Sequence, residues 1–476
     1  MARIPDLLRS RVGRMVAFFG LYISQGLPQG YTGTAVVLLF KRMGMTGAAI
    51  GSFGAFLTLP WAWKWVMGPL VDNLHLRRFG RRKQWILCSQ VGMLVTMVVA
   101  MCCFPRQSMM ESETLAWGGL RLFTLILLVN NMFAATQDVA IDALACDTLQ
   151  DHERGLANGL MFAGCTVGTA LGGSCVLYLK DWVGFTGAST LVPVLLCGIL
   201  ALVWLMIFER SAIASDSGVP LESPSLHRAM REIGSYFTVV LRTFLRTRRG
   251  FLGMVLAILP FGGMALSLTV STVLTPTLGM TDNEIANLGL ACSLVFTVFC
   301  MAGGYLSDRF GRRLTLTVFS LLTLIPTVWM GWRLKAEGWD FPLPAGPDGT
   351  WPRHEGLILA WWIAGLVYSV FSGLMYGIRT AFYMDIVEPR IAATQFTACM
   401  ALLNLSTSLC YWWEGQATTE VAKGGWGLTY YQIFLIDALV GGVFVFLIPF
   451  ARPRVEEKQS SRGHGALEEE SQPEAR

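Results

Sequence analysis

The sequence has few charged residues, and this scarcity argues against a soluble protein. Asp, Glu, Lys and Arg make up 14% of the 476 residues, and hydrophobic residues make up 53%. Soluble globular domains carry about 25% charged residues. Apolar stretches of about 20 residues can cross the hydrocarbon core of a bilayer. The composition therefore predicts a membrane-embedded chain. Its net charge of +5 does not indicate a nucleic-acid partner, because the basic residues lie at the ends of the apolar stretches.

Motifs for nucleotide, metal or covalent chemistry are also missing from the sequence. It has no GxxxxGK[ST] P-loop, no HExxH zinc motif and no CxxC pair. The five histidines lie in loops or tails without a metal partner at ligand spacing. The eleven cysteines lie mostly in apolar stretches, which predicts small buried side chains. We therefore expect no metal and no cofactor. A membrane enzyme such as an acyltransferase would need a nucleophilic set that this pattern does not offer.

Twelve apolar stretches predict twelve transmembrane helices, six on each side of a polar segment. The predicted spans, numbered 1 to 12, are 15–40, 47–71, 84–104, 114–142, 155–179, 188–208, 251–276, 283–307, 313–333, 356–385, 391–415 and 428–450. Segments predicted to face the cytoplasm carry about 26 Lys and Arg and those predicted outside about 8, which follows the positive-inside rule. Both termini are therefore predicted to be cytoplasmic.

The hydropathy pattern divides the chain into five regions. They are a cytoplasmic N-terminus (1–14), a six-helix bundle (15–208), a cytoplasmic linker (209–250), a second six-helix bundle (251–450) and a disordered tail (451–476). From Ser225 the linker has apolar residues every three to four positions with arginines between them. This predicts a basic amphipathic helix on the inner membrane surface. A calmodulin-like target sequence is the alternative.

Charged residues inside the predicted spans are the first candidates for a functional site. A charge at the bilayer centre costs about 2.5–3.5 kcal/mol on insertion scales, so such charges usually face a cavity or a partner. Lys64 in span 2 and Asp138 in span 4 are expected at similar depths, as a substrate or proton site or as a structural ion pair. Asp142 lies on the same face as Asp138, near the inner boundary, and is expected to serve the cytoplasmic gate. In the second half, Arg379 is a candidate for binding an anionic substrate and Glu414 a candidate for protonation.

Uncharged polar residues in spans 1 and 4 are further candidates. The segment SQGLPQG predicts an interrupted helix in span 1. Interrupted spans must satisfy their free backbone groups in a cavity or against neighbours. Gln25 and Gln29 are therefore expected to line a cavity, and a kink needed only for packing is the alternative. Asn130 and Asn131, near the middle of span 4, are candidates of the same kind.

A glycine–aspartate–arginine pattern occurs once in each half. A glycine stands four residues before an aspartate, and a later glycine precedes an Arg-Arg pair. The first glycine is expected to pack closely against a neighbouring helix. The aspartate is expected to join an ion-pair latch on the inner face that opens between two access states; a simple topology anchor is the alternative. The residues are Gly68, Asp72, Gly80, Arg81 and Arg82 in the first half, and Gly304, Asp308, Gly311, Arg312 and Arg313 in the second.

The two copies of G-x-L-x-D followed by G-R-R resemble the loop signature of the major facilitator superfamily. The resemblance implies an all-α integral membrane fold. In that fold, two pseudo-symmetric six-helix bundles enclose a central cavity that opens alternately to the two sides. The first copy departs from the pattern, because additional residues separate its aspartate from the glycine at position 80.

Four further segments resemble the AmpG-type muropeptide permeases and their relatives, which include siderophore importers and acetyl-coenzyme-A transporters. They are GLPQGYTG, LPWAWKWVMGPLVD, ATQDVAIDALACD and PRIAATQFTACMALLN. Lys64, Asp72, Asp138 and Asp142 would occupy signature positions of that group. The resemblance implies proton-driven import of anhydro-muropeptides across the bacterial inner membrane, for cell-wall recycling and β-lactamase induction.

The same resemblance leaves two other functions open. AmpG-type permeases often have two additional spans, so a compact siderophore importer is an alternative. A transporter-like sensor is another, although such proteins usually add a soluble signalling domain. In each case we expect a monomer that contacts membrane lipids and a small molecule, with no cofactor beyond the proton gradient and no nucleic-acid partner.

Overall fold

The computed structural model describes residues 6–74, 80–104, 113–150, 153–209, 226–246, 248–341, 351–386 and 392–451. Every regular element in these ranges is helical. Residues 1–5, residues 210–225 of the predicted linker and residues 452–476 of the predicted tail lie outside them.

The first half consists of six spans, as the sequence predicts. Span 1 comprises the helix Arg11–Gly30, a π-helical turn Tyr31–Val36 and the helix Val37–Arg42; span 2 comprises Gly47–Ala62 and Lys64–Asn73; span 3 is Lys83–Cys102; span 4 is Glu113–Thr148; span 5 comprises Arg154–Gly172 and Ser174–Ser189; span 6 is Leu191–Met206.

The second half repeats this number of spans. The linker helix Leu226–Arg246 precedes it. Span 7 comprises Arg248–Ile258 and Thr269–Thr277; span 8 is Asp282–Phe310; span 9 is Arg312–Ala336; span 10 is Glu355–Ile386; span 11 is Ala392–Thr418; span 12 is Tyr430–Leu447. Spans 8 and 12 each begin with a capping box, formed by Thr281 with Glu284 and by Thr429 with Gln432.

Seven of the described helices are long and apolar enough to cross a membrane on length and composition alone. They are Lys83–Cys102, Leu120–Thr148, Leu156–Ser189, Asp282–Ser307, Arg312–Ala336, Glu355–Ile386 and Tyr430–Phe450. Leu191–Met206 is apolar but shorter. Spans 1, 2 and 7 are each divided by an irregular turn, which shortens their regular helices. Large apolar side chains on the outside, such as Leu294, Leu359 and Phe446, are exposed and suit contact with lipid.

The packing of the spans shows that the chain is a structural duplication. In the first half span 1 packs on span 5, span 2 on span 4 and span 3 on span 6. The second half repeats these contacts, with span 7 on span 11, span 8 on span 10 and span 9 on span 12. The halves meet through spans 2 and 11 and through spans 5 and 8, which are related by the same duplication. This is the two-bundle arrangement that the repeated motif predicts.

The expected interruption of span 1 is wrong in its position. The helix continues through Pro28 to Gly30, and the irregular π-helical turn follows from Tyr31. The glycines instead allow close contact with span 5. A Cβ at Gly26 would lie 2.0 Å from the carbonyl oxygen of Cys165 in that span. Small residues allow membrane helices to approach this closely. These glycines therefore serve close packing of spans 1 and 5, within a helix that continues past Pro28.

Candidate functional site

An ion pair joins spans 2 and 4 inside the first half. Span 2 breaks at Trp63, so Lys64 begins a new helix. The Nζ atom of Lys64 lies 2.7 Å from Oδ2 of Asp138, and both side chains are largely buried. The two side chains are thus in contact, which agrees with the prediction that they lie at similar depths in spans 2 and 4. The contact neutralises both charges without a further ion. A role in binding substrate or protons stays a prediction.

The contact between the two halves passes beside this ion pair. The indole Nε1 of Trp61 donates to Oδ1 of Asn131 at 3.3 Å. The amide Nδ2 of Asn404, on span 11, donates to the backbone carbonyl of Trp61 at 3.1 Å. Further out, Ser408 Oγ donates to the carbonyl of Ala55 at 2.6 Å. Spans 2 and 11 therefore touch where span 2 breaks, next to Lys64.

The uncharged candidates occupy different environments. Gln25 is buried, and its Nε2 has no hydrogen-bond partner among the described residues. Gln29 is partly exposed, and its Oε1 lies 3.7 Å from Sγ of Cys165. Asn130 is fully buried and donates to Oγ1 of Thr96 on span 3 at 2.9 Å. Asn130 thus holds spans 3 and 4 together, whereas a cavity-lining role for Gln25 and Gln29 remains a prediction.

The helix that carries Asp142 extends beyond the predicted end of span 4, and a role of Asp142 in the cytoplasmic gate stays a prediction. Span 4 continues to Thr148, beyond the predicted end at residue 142. The carboxylate of Asp142 is exposed and accepts a hydrogen bond from the hydroxyl of Tyr22 at 2.8 Å. It therefore links span 4 to span 1, one helical turn inward from Asp138.

Arg379 stacks on aromatic rings in the inner half of span 10. Its guanidinium carbon lies 3.8 Å from the ring centre of Tyr376 and 5.3 Å from that of Phe261. Such cation–π contacts contribute about 0.5–2 kcal/mol. No carboxylate among the described residues pairs with Arg379, and its Nε is buried without a hydrogen-bond partner. Asp385, on the same span, pairs instead with Arg312 at 2.6 Å. The Arg379 charge is thus left without a protein counterion in the described part of the chain.

The irregular turn of span 7 surrounds two buried carboxyl groups, of which the sequence analysis identified one. Oε2 of Glu414 accepts a hydrogen bond from the backbone N–H of Val270 at 3.1 Å. Oδ2 of Asp437, on span 12, accepts from the backbone N–H groups of Met264 at 2.7 Å and Ala265 at 3.0 Å. Both residues are at most 1% exposed. A lone acid in an otherwise apolar span is a sequence signal, and it would have identified Asp437.

In the first half, the arginine motif ties three spans together at the face that is predicted to be cytoplasmic. Nη1 of Arg82 lies 2.5 Å, and Nη2 of Arg81 3.3 Å, from Oδ1 of Asp72 at the end of span 2. Nε of Arg82 lies 3.2 Å from Oδ2 of Asp147 in the last turn of span 4. Gly80 has a φ of 88°, a conformation that side chains with a Cβ rarely adopt. This turn directs the following arginines towards spans 2 and 4.

The second half repeats this turn with other partners. Gly311 has a φ of 86°. Arg312 pairs with Asp385 at the end of span 10, and Arg313 donates to the carbonyl of Pro449 beyond span 12. The side chain of Asp308 lies outside the described part of the structure, so a latch that involves this residue remains a prediction.

The expectation that the first glycine of each motif packs against a neighbouring helix is wrong. A Cβ added at Gly68 or at Gly304 would meet no atom within 4 Å. In the second half the close contact falls one residue earlier, where a Cβ at Gly303 would lie 2.2 Å from the carbonyl oxygen of Leu374 on span 10. Adjacent residues on a helix point about 100° apart, so the motif identifies the helix but not its packed face.

An ion-pair group joins the two halves at the ends that are predicted to face outside, and the sequence analysis did not identify it. Asp282, the first residue of span 8, accepts from Nε and Nη2 of Arg42 at 3.0 and 2.9 Å. The same carboxylate pairs with Lys180 of span 5. Beside it, Nδ2 of Asn283 donates to Asp181 at 3.3 Å. We call Arg42, Lys180 and Asp282 the outer latch, because they hold spans 1, 5 and 8 together at their outer ends.

Comparison with known proteins identifies relatives of this sequence. The model of the Major Facilitator Superfamily matches residues 14–411. A putative transporter AmpG 4 of Rickettsia felis is 24% identical over 407 residues, which cover 83% of this chain and 87% of that protein. The anhydromuropeptide permease of Escherichia coli K12 is 24% identical over 442 residues, which cover 90% of this chain and 78% of the permease.

Solved structures with the same fold include two transporters of similar length. A D-xylose-proton symporter superposes with a TM-score of 0.65 at 13% identity, over 92% of this chain and 97% of its own. The nucleoside transporter NupG superposes with a TM-score of 0.59 at 13% identity, over 92% of this chain and 98% of its own. At these identities the likeness establishes the fold alone.

Proposed function

This chain belongs to the Major Facilitator Superfamily, and on that premise we propose that it is a proton-coupled importer of anhydro-muropeptides. Its family and fold make it a multi-pass membrane transporter of a small molecule, not an enzyme. The relatives named as AmpG-type transporters and as an anhydromuropeptide permease support the substrate class. The proposed location is the bacterial inner membrane, with both termini in the cytoplasm, where the positive-inside rule orients the basic segments.

The observation that carries this proposal is a cation inside the spans of each half. Lys64 lies in span 2 beside Asp138, and Arg379 lies in span 10 between aromatic rings. An anhydro-muropeptide carries peptide carboxylates and sugar hydroxyls. We assign Arg379 to a carboxylate of the substrate, because no described acid neutralises it. Lys64 takes a second acidic group, and Gln25 and Gln29 take hydroxyl or amide groups.

The contacts between the halves support alternating access. The outer latch closes the outer ends of spans 1, 5 and 8, and spans 2 and 11 are in contact from their outer ends to the break at Trp63. This conformation is therefore closed at the outer side. Import then needs a second state, in which the outer latch opens and the inner arginine motifs draw together. No cofactor takes part, and the proton gradient supplies the energy.

The first experiment measures uptake of labelled anhydro-muropeptide into cells that lack their own permease, with and without a protonophore. We expect uptake that the protonophore abolishes.

Arg379→Gln should raise the substrate concentration for half-maximal uptake about tenfold, since the loss of one charge-assisted contact of about 1.4 kcal/mol is a factor of ten. Lys64→Ala should abolish most uptake, because it also leaves Asp138 buried without a partner.

The matched control is Lys423→Ala, which removes an exposed outer lysine that pairs with Glu420 and should leave uptake unchanged. Transport by Lys64→Ala at the native rate would remove Lys64 from the site. If the inserted native protein takes up no muropeptide, the substrate assignment is wrong, and ferric-siderophore uptake becomes the next measurement.

A further inference from the structure

The irregular turn of span 7 depends on two side chains for its hydrogen bonds. Between Ile258 and Thr269 the chain leaves the helical conformation, so its N–H groups have lost their usual carbonyl partners. Inside a membrane such groups must be satisfied by other protein groups. Here Asp437 accepts hydrogen bonds from two of these N–H groups, and Glu414 accepts one from the N–H of Val270. Both carboxyls are thus part of the structure of the turn.

Among the described residues, no cation balances the two carboxyls. Both accept hydrogen bonds from the backbone of residues 264–270 at the unwound turn, and neither pairs with a Lys or Arg in the described ranges. Oε1 of Glu414 is buried and has no hydrogen-bond partner in the part of the chain that the structure describes. Tyr368 on span 10 and Cys410 and Tyr411 on span 11 are the titratable neighbours of the two carboxyls among the described residues. The cation of span 10, Arg379, stacks on Tyr376 and Phe261 and pairs with neither carboxyl.

Two ionised carboxyls that are at most 1% exposed would repel each other, and no described cation would offset the repulsion. A buried carboxylate without a cation is destabilised by several kcal/mol and binds a proton instead. Two carboxyls at close quarters commonly share one proton for the same reason. Oδ2 of Asp437 accepts two N–H groups, which favours its ionised form, whereas Oε1 of Glu414 has no hydrogen-bond partner among the described residues. The proton therefore belongs on Oε1 of Glu414.

We propose that Glu414 and Asp437 together bind one proton, carried on Glu414, and that this proton is the coupling ion of transport. The second part rests on the proposed function above. Asp138 is less suited to this role, because Lys64 already neutralises it at 2.7 Å. Binding converts one carboxylate to a carboxylic acid, and release returns the proton to water on the inner side.

The position of the pair connects this proton to closure of the outer side. The outer helix of span 7, Thr269–Thr277, begins at the N–H groups beside Glu414, and Oγ1 of Thr269 donates to the carbonyl of Tyr411 at 2.9 Å. The same helix packs against the outer helices of spans 1 and 2. When the pair of Glu414 and Asp437 holds its proton, the outer helix of span 7 can pack in the closed position. Loss of the proton leaves two repelling charges under it and favours its release.

The first test locates the proton without using any substrate. Infrared spectra of the purified protein in lipid bilayers at neutral pH should show the C=O stretch of a protonated carboxylic acid. Glu414→Gln should remove this band, and so should Glu414→Gln combined with Asp437→Asn. Both substitutions keep the shape and the acceptor oxygens, so the turn should remain folded. The matched control, Glu420→Gln, changes an exposed carboxylate paired with Lys423 and should leave the band in place.

The second test concerns coupling. In proteoliposomes, Glu414→Gln should keep substrate exchange at zero gradient but lose accumulation driven by a proton gradient. Accumulation equal to that of the native protein would overturn the coupling role, and an infrared band that survives in the double variant would overturn the proton site. If the native protein moves no muropeptide, the proposed function fails, while the infrared result still decides whether Glu414 holds a proton.

Discussion

At the scale of single residues, buried ion pairs determine which charged side chains can be replaced without a large loss of stability. Arg14 at the start of span 1 forms two contacts with Glu153 at the start of span 5, at 2.6 and 3.0 Å. Glu153 is 1% exposed. A pair of this kind adds little net stability when intact, but loss of one partner leaves an uncompensated buried charge.

We therefore expect Glu153→Gln to lower the free energy of unfolding by about 3–5 kcal/mol. The reference is Glu420→Gln, whose carboxylate is 52% exposed and whose loss should change stability by less than about 1 kcal/mol. Unfolding in mixed micelles with increasing denaturing detergent measures both. Replacement of both charges, by Arg14→Met with Glu153→Leu, should recover most of the loss. Equal effects of Glu153→Gln and the reference would show that the pair is not buried in the folded protein.

The same scale shows what the sequence can and cannot predict about the candidate site. Lys64 and Asp138 could be paired from their depths in two neighbouring spans, because the membrane limits charged groups to few partners. Asp437 could have been found as a lone acid in span 12. The partners of the two buried carboxyls could not, because they are backbone N–H groups that become available only when span 7 unwinds.

At the scale of helices, the approach of spans 1 and 5 depends on glycines four residues apart. A Cβ at Gly30 would lie 2.0 Å from the carbonyl oxygen of Thr169, and Gly26 and Gly168 make similar contacts. In contrast, a Cβ at Gly20, on the same helix, would meet no atom within 4 Å. The sequence shows the glycines, but only packing distinguishes those that need to be glycine from those that do not.

This contrast gives a prediction within one helix. Gly30→Ala should force the two spans apart, and we expect most of the protein to be lost as a monodisperse peak after detergent extraction. Gly20→Ala should be neutral or stabilising by up to about 1 kcal/mol, since Ala favours a helix over Gly. Size-exclusion chromatography of fluorescently tagged variants measures the folded fraction. A normal peak for Gly30→Ala would mean that spans 1 and 5 are not in such close contact.

At the scale of the whole molecule, the hydropathy of the sequence and its repeated motif are sufficient to predict twelve spans in two bundles. They succeed because the bilayer permits only helices with satisfied backbone groups. The contacts between the halves could not be predicted in this way. Arg42 and Asp282 are separated by 240 residues in sequence, and only the folded arrangement brings spans 1 and 8 together.

The outer latch should hold the protein in its outward-closed state, and its removal should release that state. Asp282→Asn removes the carboxylate that Arg42 and Lys180 share, so two partly buried cations lose their counterion and repel each other. Each 1.4 kcal/mol lost from the closed state shifts the equilibrium about tenfold towards the open one.

Ala286, one turn further along span 8, is fully buried in a cluster with residues of the first half. A cysteine at this position, in a background without reactive cysteines, should therefore react with a bulky water-soluble maleimide several-fold faster in Asp282→Asn than in the parent. Glu420→Gln, at an outer ion pair that does not bridge the halves, should leave the rate unchanged. Because the outer face can open only if spans 1, 5 and 8 separate there, an unchanged rate in Asp282→Asn would show that the contact between spans 2 and 11 closes the protein without the latch.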